Sequence, residues 1–262
     1  MLRIPHLSDL HLTADDSAPA NRNAWRLVHH IIEGYAEDEN VVLITGDLTD
    51  NGQESERRAL EALLLALKAA GFKVLGCAGN HDYALGGNIF LPESIVPFNK
   101  TIGVGTYPTI WRAKSEPLTF IGLDSADPGD AEWFAQGIVG KAQLALLSGI
   151  LDETRLAGRK SLVYLHHHPF LRIKALEDLG MPLVDADALM ERLEGRAECL
   201  LFGHRHVSEL WREHHDVPYI LASGRVTQAD ANGILRYRLL VMEHGEIAGV
   251  YTEEIGGGVC HA

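Results

Sequence analysis

A chain of 262 residues, 46% apolar and 23% charged, carries enough apolar side chains to bury an ordinary core without disulfides or a partner. Its formal net charge of −13 opposes a nucleic-acid backbone, so long nucleic acid is excluded as a partner; a small phosphoester is not, because bound cations reverse the field at a site. Three cysteines, Cys77, Cys199 and Cys260, are too few for a disulfide framework and point to a reducing, cytoplasmic setting.

The first apolar stretch, Leu2–Leu7, reads as a strand, with no targeting segment ahead of it. A helix over 21–37 puts Trp25, Val28 and Ile32 on one face, and a short buried strand follows over 41–45. Leu60, Leu63, Leu64 and Leu67 then repeat at helical spacing after Glu54, Gly71 stops the helix, and 73–77 is the next strand. Trp25 and Leu63 are expected in the core. Over 83–100 the periodicity fails amid paired glycines and two prolines, which predicts an irregular loop or small lid. Strands follow over 118–123 and 161–165, helices over 143–156 and 185–193, then strands over 198–202, 217–222, 234–242 and 247–251. This alternation is that of an α/β layered fold. No repeat or linker divides it, so one domain over 1–262 is expected, with a frayed, flexible tail over 256–262. No apolar run approaches the roughly 20 residues that span a bilayer, so no membrane partner is expected.

Five polar blocks each end an apolar run, where open α/β sheets place their sites. In Ser8-Asp9-Leu10-His11, the Asp9-x-His11 spacing lets a carboxylate and an imidazole leave one turn together; a helix-capping Asp gives the same letters. In Thr45-Gly46-Asp47-Leu48-Thr49-Asp50, glycine permits a tight turn that exposes Asp47, a carboxylate able to bridge two metals, although Asp47 or Asp50 capping the next helix reads equally well. Gly79-Asn80-His81-Asp82 offers a neutral amide oxygen beside an imidazole, against the alternative of a plain Asx-turn. In His166-His167-His168-Pro169, three consecutive imidazoles cannot all face one ion, because extended neighbours alternate. His166, nearest the strand, is the preferred ligand and His167 the alternative. In Gly203-His204-Arg205-His206, alternation lets both imidazoles point one way. The donors are oxygen and nitrogen only, which suits Mn(II), Fe(II/III), Co(II) or Zn(II) rather than a closed structural zinc. His6, His29, His30, His214, His215, His244 and His261 lack the strand-end context and read as structural or surface groups. Arg205, Trp133 and the 83–100 loop are candidates for touching substrate, or equally for solvated surface.

Together these blocks, in this order from residue 9 to 206, resemble the calcineurin-like metallophosphoesterases, most closely the bacterial class III cyclic-nucleotide and glycerophosphodiester phosphodiesterases. The resemblance implies a four-layer α-β-β-α sandwich with two mixed sheets. It also implies two divalent or trivalent ions, one held by Asp9, His11, Asp47 and His206, the other by Asp47, Asn80, His166 and His204. Ions roughly 3.5 to 4 Å apart activate a shared water for in-line attack on phosphorus. His81 is then the group to offset charge and protonate the leaving oxygen, with Asp82 to orient it. The expected activity is hydrolysis of a small phosphodiester by such a hydroxide. A phosphomonoesterase or nucleotidase on the same metals is the alternative. A nonenzymatic scaffold would be expected to have lost ligand residues, and none is lost; a homo-oligomer stays open.

Overall fold

A computed structural model describes residues 1–35, 40–88, 91, 95–126, 135–170, 181 and 183–256. Trp133, Cys260, His261 and the expected tail beyond Gly256 lie outside the described residues. Strands β1 (Leu2–Leu7), β2 (Asn40–Thr45) and β3 (Phe72–Cys77) pair in parallel, with α1 (Pro19–Gly34) and α2 (Glu54–Ala69) crossing between them. The next helices in the chain are α3 (Asn80–Tyr83) and α4 (Ile95–Ile102). Next come β4 (Thr109–Arg112), β5 (Leu118–Gly122), α5 (Lys141–Leu156), β6 (Lys160–Tyr164), α6 (Ala186–Leu193) and β7 (Cys199–Phe202). The chain closes with β8 (Glu209–His214), β9 (Val217–Ala222), β10 (Leu235–Glu243) and β11 (Glu246–Ile255). The first sheet has the order β11-β10-β1-β2-β3 and the second β4-β5-β6-β7-β9-β8. Both are mixed, parallel in their centres and antiparallel where β10, β11, β4 and β8 join.

Three apolar clusters fill the spaces between four layers. Leu2, Ile4, Val41 and Leu43 meet Phe120, Leu162, Tyr164 and Leu201 between the sheets. The opposite faces of the same strands, with Val42 and Ile44, pack on Leu27, Ile31, Leu60 and Leu63 of α1 and α2. Val163 and Leu200 pack on Leu147 and Leu189 of α5 and α6. The central strands are therefore apolar on both faces, as buried parallel strands must be, and each fully buried leucine contributes about 1.5–3 kcal/mol. His6 continues the inter-sheet face of β1 and is bonded there to Thr45 Oγ1 (2.9 Å).

Leu63 lies in the core, but Trp25 does not: it is 36% exposed. The buried stripe of α1 runs through Ala24, Leu27, Val28 and Ile31, and Trp25, a sixth of a turn or more off that stripe, lies against His29 instead. Within 83–100 the expected irregularity gives way to a 3-10 turn at Leu85–Gly87 and to α4, which buries Phe98. Pro97 falls in the first turn of α4, where its missing N–H has no helical partner to lose. The edge strands β4 and β8 were not anticipated; their half-exposed residues lack the apolar runs of the central strands.

Candidate metal centre

The loops leaving β1 and β2 run side by side beyond the strands. Asp9 N donates to Gly46 O (3.0 Å), His11 N to Asp47 O (2.9 Å) and Asp50 N to Leu12 O (2.9 Å). This prolonged ladder holds Asp9 and His11 against Asp47 and Asp50. The turn after β3 is locked to the same loops by Asp82, whose buried carboxylate accepts from Gly79 N (2.9 Å), Thr49 N (2.8 Å), Thr49 Oγ1 (2.8 Å) and Leu48 N (3.2 Å). In the second sheet, Gly203 N donates to His166 O (3.1 Å), and Ser125 Oγ accepts from His166 N (3.3 Å) and His167 N (3.2 Å). His204 N in turn donates to Asp9 Oδ2 (3.2 Å), so the carboxyl ends of both parallel segments face one another.

The local backbone is strained there. Asp9, His11, Asp47, His204 and His206 all have positive φ, between 46° and 73°. Side chains with a Cβ avoid this region, and five of the nine non-glycine residues that adopt it among the described residues fall here. Two motif glycines are required by close approach: a Cβ on Gly79 would lie 2.2 Å from Asp47 Oδ1, and one on Gly203 1.8 Å from Ser8 Oγ.

Asp9, His11, Asp47 and His206 each present one nitrogen or oxygen within 4.8 Å of the others, and Asp47, His166 and His204 do the same. Asp47 belongs to both groups: its Oδ2 is 3.2 Å from His166 Nε2 and 3.8 Å from His11 Nε2, while Oδ1 accepts from His81 N (3.0 Å). Hydrogen bonds behind the rings decide which nitrogens face inward. His166 Nδ1 donates to Thr45 O (2.8 Å), His204 Nε2 to Met181 O (3.1 Å) and His11 Nδ1 to Asp50 Oδ1 (3.2 Å). The nitrogens left over face each other in pairs, His166 Nε2 with His204 Nδ1 at 3.2 Å and His11 Nε2 with His206 Nε2 at 3.0 Å. Lone pairs so close repel unless a proton or a cation lies between them.

Charge is distributed accordingly. Burial opposes ionisation of Asp47, yet His166, His81 and His11 hold its carboxyl well below the usual range. Burial opposes protonation of His166, but the Asp47 carboxylate overcomes it and raises the imidazole to about 9. Burial, reinforced by the charge of Asp47, lifts Asp82 to about 7 against the hydrogen bonds it accepts. His81 is raised, because Asp47 and the Asp50 carbonyl outweigh its burial. His167 and His204 are pushed well below the usual histidine value, first by burial and then by neighbouring imidazoles.

Two buried oxygens test whether ions fit here. Among the described residues, Asp9 Oδ1 accepts no hydrogen bond and has only His206 Nε2 nearby (3.4 Å), and Asn80, whose Nδ2 donates to Gly87 O (2.9 Å), leaves its Oδ1 without a hydrogen bond. A buried acceptor left unpaired costs about 1–3 kcal/mol, which a cation would relieve. With inward-facing imidazoles and no thiolate, the donor set suits the borderline ions inferred from the sequence.

His166 approaches Asp47, whereas His167 bonds Ser125 Oγ through Nδ1 (3.0 Å) and His168 stacks on His204. His206 joins the first group and His204 the second. Arg205 leans on Met181 Sδ (2.7 Å). The hydrogen bonds of Asp82 all go to the flanking loops; the acceptor that orients His81 Nδ1 is the carbonyl of Asp50 (2.8 Å). Asp50 enters the sequence reading only as a possible helix cap, and the Asp124-Ser125 pair, which follows β5 as the five blocks follow their strands, does not enter it.

A family model described as calcineurin-like phosphoesterase matches residues 2–208. The chain belongs to this family. Among curated phosphoesterases it is 27% identical to a probable cyclic nucleotide phosphodiesterase of Rhodopseudomonas palustris over 190 residues, 71% of this chain but 64% of that relative. It is 24% identical to a 3',5'-cyclic-nucleotide phosphodiesterase of Nostoc sp. over 226 residues, 84% of this chain and 76% of that one. Among solved structures, a dimetal phosphatase from Danio rerio superposes with a TM-score of 0.66 at 14% identity, covering 98% of this chain and 99% of its own. A purple acid phosphatase from yellow lupin gives 0.67 at 12% identity, covering 96% of this chain and 53% of its own. These likenesses agree with the four-layer calcineurin-like fold. Among the described residues, no helix is long and apolar enough to cross a membrane.

Proposed function

We propose that this calcineurin-like phosphoesterase hydrolyses a small phosphodiester, a cyclic nucleotide or a glycerophosphodiester, at a two-ion site. Asp9, His11, Asp47 and His206 hold one ion, and Asp47, Asn80, His166 and His204 the other. The observation that carries this reading is a pair of buried oxygens that accept no hydrogen bond from a described residue, Asp9 Oδ1 and Asn80 Oδ1, beside imidazole nitrogens turned toward one another. Bound there, the ions supply Lewis acidity, which brings water within reach of ionisation at neutral pH and offsets phosphoryl charge.

The side chains do the rest. His81, with Nδ1 committed to the Asp50 carbonyl, keeps Nε2 for substrate. Protonated there, it can donate to a phosphoryl oxygen and pass a proton to the departing alkoxide. His81→Ala should retain the ions and lower kcat by about 10²–10⁴-fold; metal loss in that variant would overturn its non-ligand role. The names of the curated relatives support a diester substrate. Metal analysis of the purified protein, with rates on bis(p-nitrophenyl) phosphate and p-nitrophenyl phosphate in added Mn(II), tests the whole. Two ions per chain and a faster diester rate are expected. A faster monoester rate makes it a phosphomonoesterase or nucleotidase, and inertness toward both with ions bound makes it a scaffold.

A further inference from the structure

The loop after β9 is fastened to the loop after β1 at three points. Ser223 Oγ donates to His6 O (3.3 Å), Val226 N to Ser8 O (3.3 Å) and Thr227 Oγ1 to Leu10 O (2.9 Å). On its other side Gly224 N donates to Ser208 Oγ (3.0 Å), and a Cβ on Gly224 would come within 3.2 Å of His206 O. The loop is therefore wedged between the segments that carry Asp9 and His206, and Arg225 stands at its middle.

The Arg225 backbone carbonyl accepts from Gln228 N (3.1 Å), while its half-buried side chain makes no hydrogen bond or ion pair with any described residue. Other arginines differ: Arg159 caps the carbonyls of Ala113 and Leu118, Arg196 pairs with Asp152, and Arg236 with Asp230 and Glu254. Asp50 and His206, each with 38% of the side chain exposed, mark the side of the centre that opens to solvent. A guanidinium carried on a pinned loop beside that opening, bonded to no carboxylate among the described residues, is available to receive an anion from solution.

We infer that Arg225 binds non-bridging phosphoryl oxygens of the substrate at the open side of the centre. The inference rests on the phosphoesterase reading above and adds to it a protein cation that fixes the phosphoryl group. Guanidinium suits this task, because its planar fork can meet two oxygens at once, which an ammonium cannot.

The test uses the full chain loaded with Mn(II), as wild type, Arg225→Gln and Arg225→Lys. Inorganic phosphate binding is measured by titration calorimetry, and kcat and KM on bis(p-nitrophenyl) phosphate. Losing a charged hydrogen bond should weaken phosphate binding and raise KM by about 10–100-fold in Arg225→Gln, with bound metal unchanged and kcat much less affected. Arg225→Lys should fall between. Phosphate affinity and KM within about twofold of wild type would overturn the assignment, as would loss of metal from both variants. If the wild type hydrolyses no phosphoester yet phosphate binding still weakens in Arg225→Gln, the anion site stands and the phosphoesterase reading fails.

Discussion

His166 and His204 are buried, and each has its outer ring nitrogen held by a main-chain carbonyl, that of Thr45 or Met181. Across Asp47, His11 leans on a side chain, the half-exposed Asp50, and 38% of the His206 side chain is open to solvent. One half of the centre is thus held by backbone and closed; the other, although Asp9 and His11 are buried as well, opens to solvent at His206. Ligands that cannot reorient lose less entropy on binding, so the buried half should hold its ion more tightly and the open half should exchange first.

Asp47 is the point at which the comparison can be broken most decisively, because its Oδ2 lies between His166 Nε2 and His11 Nε2. Asp47→Ala should release both ions and reduce phosphoesterase activity by more than about a thousandfold, the loss of several kcal/mol of charge stabilisation. Elemental analysis decides it: a variant that keeps one full ion equivalent would show that the two halves bind independently. A smaller effect is expected at Asp50. Asp50→Ala removes the acceptor of His11 Nδ1 but leaves the backbone carbonyl that orients His81. It should weaken one ion by about 10–100-fold and spare the other. Chelator titration of the variant should then show a wider separation of two release steps, and an unchanged pattern would remove Asp50 from any supporting role.

The sequence disclosed the central strands because burial on both faces leaves near-continuous apolar runs, as in β2, where Val41 and Leu43 face one cluster and Val42 and Ile44 another. β4 and β8 escaped because an edge strand buries little, and α4 because it is short and interrupted by Pro97. In the site, blocks of polar residues after strands were visible as local spacing, and they do meet. The bonds of Asp50 to His11 and of Ser125 to His167 were not, because they join positions 39 and 42 apart. Trp25 misled because an aromatic ring near a helical stripe can cover the helix edge rather than enter the core.

The smallest effect lies beneath the buried half, at His6. Its Nε2 is bonded to Thr45 Oγ1, and the Thr45 carbonyl in turn accepts from His166 Nδ1. Burial, with the charge of Arg238, lowers His6 from 6.5 to about 3. The folded state therefore keeps this imidazole neutral, while the unfolded chain takes up a proton once the pH falls below 6.5. Stability is complete above that value and is lost progressively as the pH falls toward the folded value. At about 1.4 kcal/mol per unit, the loss between pH 6.5 and pH 5 amounts to about 2 kcal/mol. Urea denaturation of metal-free wild type and His6→Asn at pH 7 and pH 5 isolates this contribution, since other histidines titrate in both proteins. The wild type should lose about 2 kcal/mol more than the variant. Equal losses would mean that His6 protonates in place, and that the support under His166 is more yielding than its closed packing implies.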